Sequence, residues 1–115
     1  MKKDNIVFIR HIKDAIELII NFTKNYDNKR FVNDVLIQSA VVRQIEIIGE
    51  AVKNLTPEFK RKYPQIPWRD IIGMRDKLIH QYFGVDLNRV WNVVKKDLAV
   101  LKAEIKNILE IESGN

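Results

Sequence analysis

Apolar residues recur at steps of three and four along most of this 115-residue chain. That spacing places them on one face of an α-helix, whereas a half-buried strand requires apolar residues at every second position. Glycine and proline, which interrupt helices, occur only four and three times. The first helix is predicted to begin at Asp4 or Asn5, either of which can cap it, and to end near Tyr26. Its apolar face comprises Ile9, Ile12, Ile16, Ile19 and Phe22.

A second helix is predicted over about residues 33–55, after a turn-prone segment at residues 25–30 that is rich in Asn and Asp. Its apolar residues occupy more than one side. One stripe comprises Ile37, Val41, Ile45, Ile48, Val52 and Leu55, and a flanking set comprises Leu36, Ala40, Ile47 and Ala51. We therefore expect this helix to be covered on two sides, either within the domain or by a second subunit.

The second half of the chain contains clear signals for where helices begin and end. A short helix is predicted to start with Thr56 as its cap and Pro57 in its first turn, and to end before Pro64. The next helix opens at Pro67 and is ended by Gly84.

A last helix, capped by Asp86, has a stripe composed of Val90, Val94, Leu98, Leu101, Ile105 and Ile108. Together these elements predict an all-α protein. We expect a single domain over residues 1–115, built as a bundle of about four main helices and one short one.

Composition excludes several classes of protein. The chain has no cysteine, which excludes disulfides and Cys-ligated zinc and favours an intracellular location. No apolar run is long enough to cross a membrane, and the N-terminus lacks the apolar core of a signal peptide, so we expect a cytoplasmic protein. The net charge of +5 is compatible with a polyanionic partner but is equally typical of a solvated surface.

The stretch "GMRDKLIHQYFGVD", residues 73–86, contains the candidate functional residues. On an ideal helix, Arg75 and Tyr82 share a face, whereas His80 lies about 140° around the axis from Arg75. Asp76 precedes His80 by four residues and can hydrogen-bond its imidazole. One regular helix therefore does not bring Arg75 and His80 together. Loosening of the helix before Gly84, or a two-fold axis between two copies, would do so.

These residue types suit RNA cleavage without a metal or another cofactor. A neutral imidazole can take the proton of a ribose 2′-hydroxyl, and an imidazolium can protonate the leaving 5′-oxygen. A guanidinium can stabilise the extra negative charge on the phosphorane that forms between these steps. The Arg-x4-His spacing alone is a weak signal, and an ordinary helix end that contains a histidine remains the alternative.

The segment "RDKLIHQY" resembles the Arg-x4-His-x-Tyr motif of the HepT-like toxins, a branch of the HEPN superfamily of small helical proteins. The segments "AVVRQIEIIGEAVKNL", "YPQIPWRDIIGMRDKLIHQYF" and "VDLNRVWNVVKKDL" are similar to that family in the same order. The resemblance implies a toxin of a toxin–antitoxin pair that acts as a homodimeric, metal-independent ribonuclease. Its partner would be a nucleotidyltransferase antitoxin of the MNT type. By resemblance, Arg75 and His80 take the catalytic positions and Tyr82 the position that receives AMP, while Asp76 is a possible orienting residue for His80.

An alternative function is a non-catalytic one, in which a dimeric helical protein binds a nucleotidyltransferase.

Other residues receive structural interpretations. Glu50, in an apolar stretch, is predicted to pair with a basic side chain between helices. Gly49 and Gly73 lie inside helices and predict close helix contacts, and Trp68 and Trp91 are predicted to anchor the core or an interface.

Overall fold

The computed structural model describes residues 4–80 and 86–113, with side chains for all of these except residues 79 and 80. The described residues form helices and turns, without a strand, which confirms the predicted all-α class. The helices are α1 (Asn5–Thr23), α2 (Asn28–Val32), α3 (Val35–Asn54), α4 (Pro57–Lys62), α5 (Trp68–His80), α6 (Leu87–Asn92), a π-helical segment (Val93–Asp97) and α7 (Leu98–Glu112).

Side-chain caps fix where most of these helices begin. Asp4, Asp34, Thr56 and Asp86 each accept hydrogen bonds from backbone N–H groups in the first turn of the helix that follows. Each such cap satisfies donors that have no partner within the helix and contributes about 1 kcal/mol. Three of these four caps were predicted from the sequence, and Asp34 moves the start of α3 to Val35 rather than residue 33.

The predicted turn between the first two helices is partly wrong, because it contains a helix of its own. The first helix ends at Thr23 rather than near residue 26. Asp27 then caps α2 by accepting a 2.8 Å hydrogen bond from the backbone N–H of Arg30. Phe31 in α2 is fully buried and packs on Trp91, with 5.1 Å between ring centroids. The short helix therefore inserts one aromatic anchor into the core.

The wide apolar surface of α3 is covered largely by the same chain. α3 makes its most extensive contacts with α1 and α5, and its buried side chains include Val41, Ile48 and Val52. Val35 and Leu36, in its first turn, remain 71% and 79% exposed. The predicted cover is therefore supplied within the domain for most of this surface, but not for Leu36 of the flanking set.

The last predicted helix forms as a rod from α6 to α7 that contains the π-helical segment. The backbone N–H of Leu98 donates to the carbonyl of Val93, five residues earlier, which is the hydrogen bond of a π-turn. Both Trp91, ahead of the segment, and Trp68, at the start of α5, are buried as predicted. None of the helices in the described ranges is long and apolar enough to cross a membrane.

A polar cluster joins α4 to the end of α7. Glu112 accepts hydrogen bonds from the hydroxyl of Tyr63 and from Nζ of Lys62, the latter at 2.6 Å. Burial, and then the contact with Glu112, raise the pKa of Tyr63 to about 12. The Lys62 ammonium and the Tyr63 hydroxyl lower the pKa of Glu112. Trp68 donates to the carbonyl of Tyr63 at 3.1 Å and so attaches the start of α5 to the same cluster.

Candidate active site

Arg75 lies where α5 crosses α3, and Gly49 makes that crossing possible. A Cβ atom on Gly49 would lie 2.2 Å from Cβ of Arg75 and 2.6 Å from its Cγ. Non-bonded carbon atoms do not approach that closely, so the two helices would have to separate if residue 49 had a side chain. This confirms the predicted close helix contact at Gly49 and shows that its partner is the candidate catalytic arginine.

Gly73 does not have the same role, and the prediction of a close contact there is wrong. It is exposed, and a Cβ atom at this position would meet nothing within 4 Å in the described part of the chain. The reason is angular: Gly73 and Arg75 lie two residues apart, about 200° around the helix axis, so only one of them can face α3.

The guanidinium of Arg75 lies between two carboxylates. Nη1 donates a 3.0 Å hydrogen bond to Oδ1 of Asp76, and Nη2 lies 3.6 Å from Oε1 of Glu50 on α3. The hydrogen bond with Asp76 raises the pKa of Arg75, Glu50 acts in the same direction, and desolvation opposes both. The predicted ion pair of Glu50 with a basic side chain between helices is confirmed.

Arg75 is largely enclosed but not sealed from solvent. Its side chain is 20% exposed, compared with 43% for Glu50 and 44% for Asp76. Its Nε is buried and donates to no partner among the described residues. The side chain thus keeps some access to solvent, and its guanidinium keeps unused hydrogen-bonding capacity at Nε within this part of the chain.

His80 and Tyr82 are the remaining predicted site residues. His80 is the last residue of α5, its side chain is not among those described, and Tyr82 lies outside the described residues. α5 continues as an α-helix from Trp68 to His80, so positions 75 and 80 lie about 140° apart around its axis. The helix therefore does not loosen between these two positions. Asp76 hydrogen-bonds Arg75, a contact that was not predicted.

The opposite face of α5 borders a groove of about 700 Å³ between α5 and the rod formed by α6, the π-helical segment and α7. Apolar side chains line much of it, including Ile71, Met74 and Val93. Its charged residues are mixed in sign: Arg69, Lys77 and Arg89 against Asp70, Asp97 and Glu104. This balance differs from the basic lining expected of a channel for nucleic acid. No group of three or more potential ligands among the described His, Asp and Glu residues could hold a metal ion.

Comparison with known proteins identifies the family. The family model described as "Ribonuclease HepT-like" matches residues 12–108, a range that contains Gly49, Glu50 and the whole Arg-x4-His-x-Tyr motif. The chain belongs to the HepT-like ribonuclease family. The family resemblance inferred from the sequence is thus confirmed.

Relatives of this HepT-like protein include two from Methanocaldococcus jannaschii. One, described as "Gamma-glutamylcyclotransferase and putative RNase", is 51% identical over 110 residues, which are 96% of this chain and 50% of that protein. Another, described as "Putative RNase", is 46% identical over 113 residues, 98% of this chain and 93% of that protein. The chain therefore spans half the length of the first and nearly all of the second.

A protein of Thermococcus cleftensis described as "Probable ribonuclease HepT" is 46% identical over 108 residues, which are 94% of this chain and 98% of that protein. No solved structure matches the chain.

Proposed function

We propose that this HepT-like protein is a metal-independent endoribonuclease in which Arg75 and His80 are catalytic. The observation that carries the proposal is the placement of Arg75: an arginine held at a helix crossing, with its side chain still partly accessible to solvent. Membership of the HepT-like ribonuclease family supports RNA as the substrate.

The proposed reaction is an internal transesterification of RNA. A neutral His80 removes the proton from the ribose 2′-hydroxyl, and O2′ forms a bond to the adjacent phosphorus. The bond between phosphorus and O5′ then breaks, and O5′ takes a proton from an imidazolium. The products are a 2′,3′-cyclic phosphate and a 5′-hydroxyl. Arg75 stabilises the negative charge that develops on the phosphorane oxygens, and its raised pKa keeps it protonated throughout.

The active form is proposed to be a homodimer. Positions 75 and 80 diverge on the unbroken helix α5, and two copies related by a two-fold axis would supply both histidines and both arginines to one cleft. The support comes from this geometry and not from α3, whose apolar surface is covered within the chain except at its first turn. Sedimentation at micromolar concentration is expected to give twice the monomer mass, and a monomer would contradict the proposal.

Cleavage of RNA in EDTA tests the catalytic assignment. Wild type is expected to cleave, whereas Arg75→Ala and His80→Ala are expected to lose on the order of a hundredfold or more in rate. Arg69→Ala is the matched control, because Arg69 is an exposed arginine on the same helix that forms no ion pair with a described residue. Intact RNA with wild type, or equal rates for wild type and both active-site variants, would overturn the ribonuclease assignment.

Control by an MNT-type nucleotidyltransferase forms the second part of the proposal. Addition of AMP to Tyr82 would place phosphate charge near Arg75 and His80 and repel RNA. Co-expression with the transferase is expected to add AMP mass to wild type and to Tyr26→Phe but not to Tyr82→Phe. We also propose that the protein is the toxin of a toxin–antitoxin pair, so co-expression with the transferase is expected to relieve the growth arrest that the protein causes alone. An adduct of the same mass on Tyr82→Phe would place the modification elsewhere.

A non-catalytic role as a dimeric partner of a nucleotidyltransferase is the second candidate. The observation that favours it is the charge balance at Arg75, which already has two carboxylates beside it and would serve to join α3 to α5. Under this alternative, Arg75→Ala lowers stability and wild type does not cleave RNA, so the EDTA experiment separates the two.

A further inference from the structure

Two consecutive residues of α3 contact opposite ends of the Arg75 side chain. Gly49 lies against Cβ and Cγ, and Glu50 lies 3.6 Å from Nη2 at the other end. The stem of the side chain is thus confined by the absence of a side chain at position 49, and the guanidinium is held by the carboxylate at position 50.

Asp76 alone does not define the orientation of the guanidinium. It lies on the same helix as Arg75, next to it in sequence, and accepts a hydrogen bond from Nη1. Glu50 pairs with Nη2 from a different helix. Two carboxylates on two nitrogens, together with a confined stem, restrict both the direction and the plane of the guanidinium. An arginine without these restraints would sample many rotamers, and ordering it would then oppose formation of the transition state.

We propose that Glu50 is a positioning residue of the active site, which holds the Arg75 guanidinium in the orientation needed on the phosphorane without touching the RNA itself. This inference rests on the proposed ribonuclease function and adds a residue outside the Arg-x4-His-x-Tyr motif. Gly49 belongs to the same arrangement because it lets the stem of Arg75 pass over α3.

A positioning role and a purely electrostatic role for Glu50 predict different changes in kcat when its carboxylate is removed. Removal of a negative charge near an RNA site strengthens the attraction of the phosphate backbone, so an electrostatic role alone would lower KM and leave kcat unchanged or raise it. A positioning role predicts a lower kcat at saturating RNA, because the arginine is bound less often in the orientation that stabilises the transition state.

The test compares Glu50→Gln with Glu46→Gln. Glu46 lies one turn earlier on α3, is also partly buried, and forms no ion pair with a described residue, so both variants change the net charge equally. In EDTA, Glu50→Gln is expected to lower kcat by about tenfold to a hundredfold with KM little changed, whereas Glu46→Gln retains wild-type kcat. A kcat for Glu50→Gln at or above the wild-type value, or an equal fall in both variants, overturns the positioning role.

Glu50→Asp distinguishes the contact from the charge and serves as a second variant if the amide disturbs folding. It keeps the charge but withdraws the carboxylate by one methylene from a contact that is already 3.6 Å long. The positioning role predicts that its kcat falls with that of Glu50→Gln. A wild-type kcat for Glu50→Asp would show that only the charge matters and would contradict the proposal.

A measurement on the arginine itself does not depend on RNA cleavage. In ¹⁵N NMR spectra of the full chain, the buried Nε–H of Arg75 is expected to exchange slowly with water in wild type and Glu46→Gln, and faster in Glu50→Gln. Equal exchange in all three proteins overturns the positioning role even where RNA cleavage is observed. Absence of cleavage by wild type defeats the proposed function, whereas wild-type kcat for Glu50→Gln in an active enzyme defeats only the inference about Glu50.

Discussion

The two faces of α5 are packed in different ways. The face against α3 is closed: Gly49 brings the helices so near that Arg75 occupies the space of a missing side chain, and Glu50 holds its charged end. The other face, which includes Gly73, borders the groove toward α6 and α7 and makes few contacts across it. Two glycines of the same chain therefore have unrelated consequences. The closely packed face of α5 contains the candidate catalytic arginine, and the face that borders the groove does not.

The largest expected effect follows from Gly49→Ala. Its new Cβ would meet Cβ of Arg75, which no rotamer change can move, so α3 and α5 must separate. Overpacking of this kind costs about 1–3 kcal/mol of unfolding free energy. We expect urea unfolding to show that loss, and RNA cleavage by the folded fraction to fall because Arg75 is displaced. A Gly49→Ala protein with wild-type stability and wild-type activity would show that α3 and α5 are not closely packed at residue 49.

The cluster of Lys62, Tyr63 and Glu112 includes neither Arg75 nor a residue that lines the groove, and it provides an effect of intermediate size for comparison. Glu112→Gln removes the carboxylate that Lys62 and Tyr63 share, and we expect a loss of about 1 kcal/mol near neutral pH, because Lys62 is largely exposed. The pKa of Glu112 is lowered in the folded state from 4.5, so its contribution is present above 4.5 and is lost as the pH falls below that value. Unfolding of wild type and variant should therefore converge in acid.

At alkaline pH, the contribution of Tyr63 in the same cluster to the free energy of unfolding changes with pH in the opposite direction. The pKa of Tyr63 is raised from 10.0 to about 12, so its contribution is complete below pH 10 and is lost as the pH rises from there toward 12. The control for Glu112→Gln is Glu110→Gln. Glu110 is an exposed residue of α7 whose side chain forms no ion pair with a described residue. RNA cleavage should be unchanged by either substitution. A pH-independent difference between Glu112→Gln and wild type would contradict this interpretation.

The smallest expected effect, with the opposite sign to that of Gly49→Ala, follows from Gly73→Ala. A Cβ atom here meets open space among the described residues, and alanine is favoured over glycine inside a helix by about 0.5–1 kcal/mol. Thermal unfolding should shift upward while kcat stays at the wild-type value. A destabilised Gly73→Ala protein would remove the contrast between the two faces.

Much of this arrangement could be predicted from local sequence. Helix caps such as Asp4 and Asp86 act on the residues that follow them directly, so they are visible without tertiary information. The ion pair of Glu50 could be expected because a carboxylate in an apolar stretch needs a partner, although its partner could not be named. The helix α2 was missed because a five-residue helix with one buried aromatic shows no period.

Other features depend on how the helices pack and were not predictable. Whether Gly49 or Gly73 makes a close contact depends on which face of α5 meets α3, and the sequence marks both glycines alike. The π-helical segment adds one residue to a single turn, which hardly changes the spacing of the apolar stripe through Val90, Val94 and Leu98. The Arg75–Asp76 hydrogen bond joins adjacent residues that diverge on a helix, so helical spacing favours other partners for Asp76.

The chemistry proposed for Arg75 and His80 would leave a signature on the RNA itself. The most direct measurement is therefore the identification of the ends that wild type produces from a defined RNA in EDTA. The proposed transesterification predicts a 2′,3′-cyclic phosphate on one fragment and a 5′-hydroxyl on the other, with both ends formed far more slowly by Arg75→Ala. Fragments with a 3′-hydroxyl and a 5′-phosphate, or products that form only when a divalent metal is added, would contradict it.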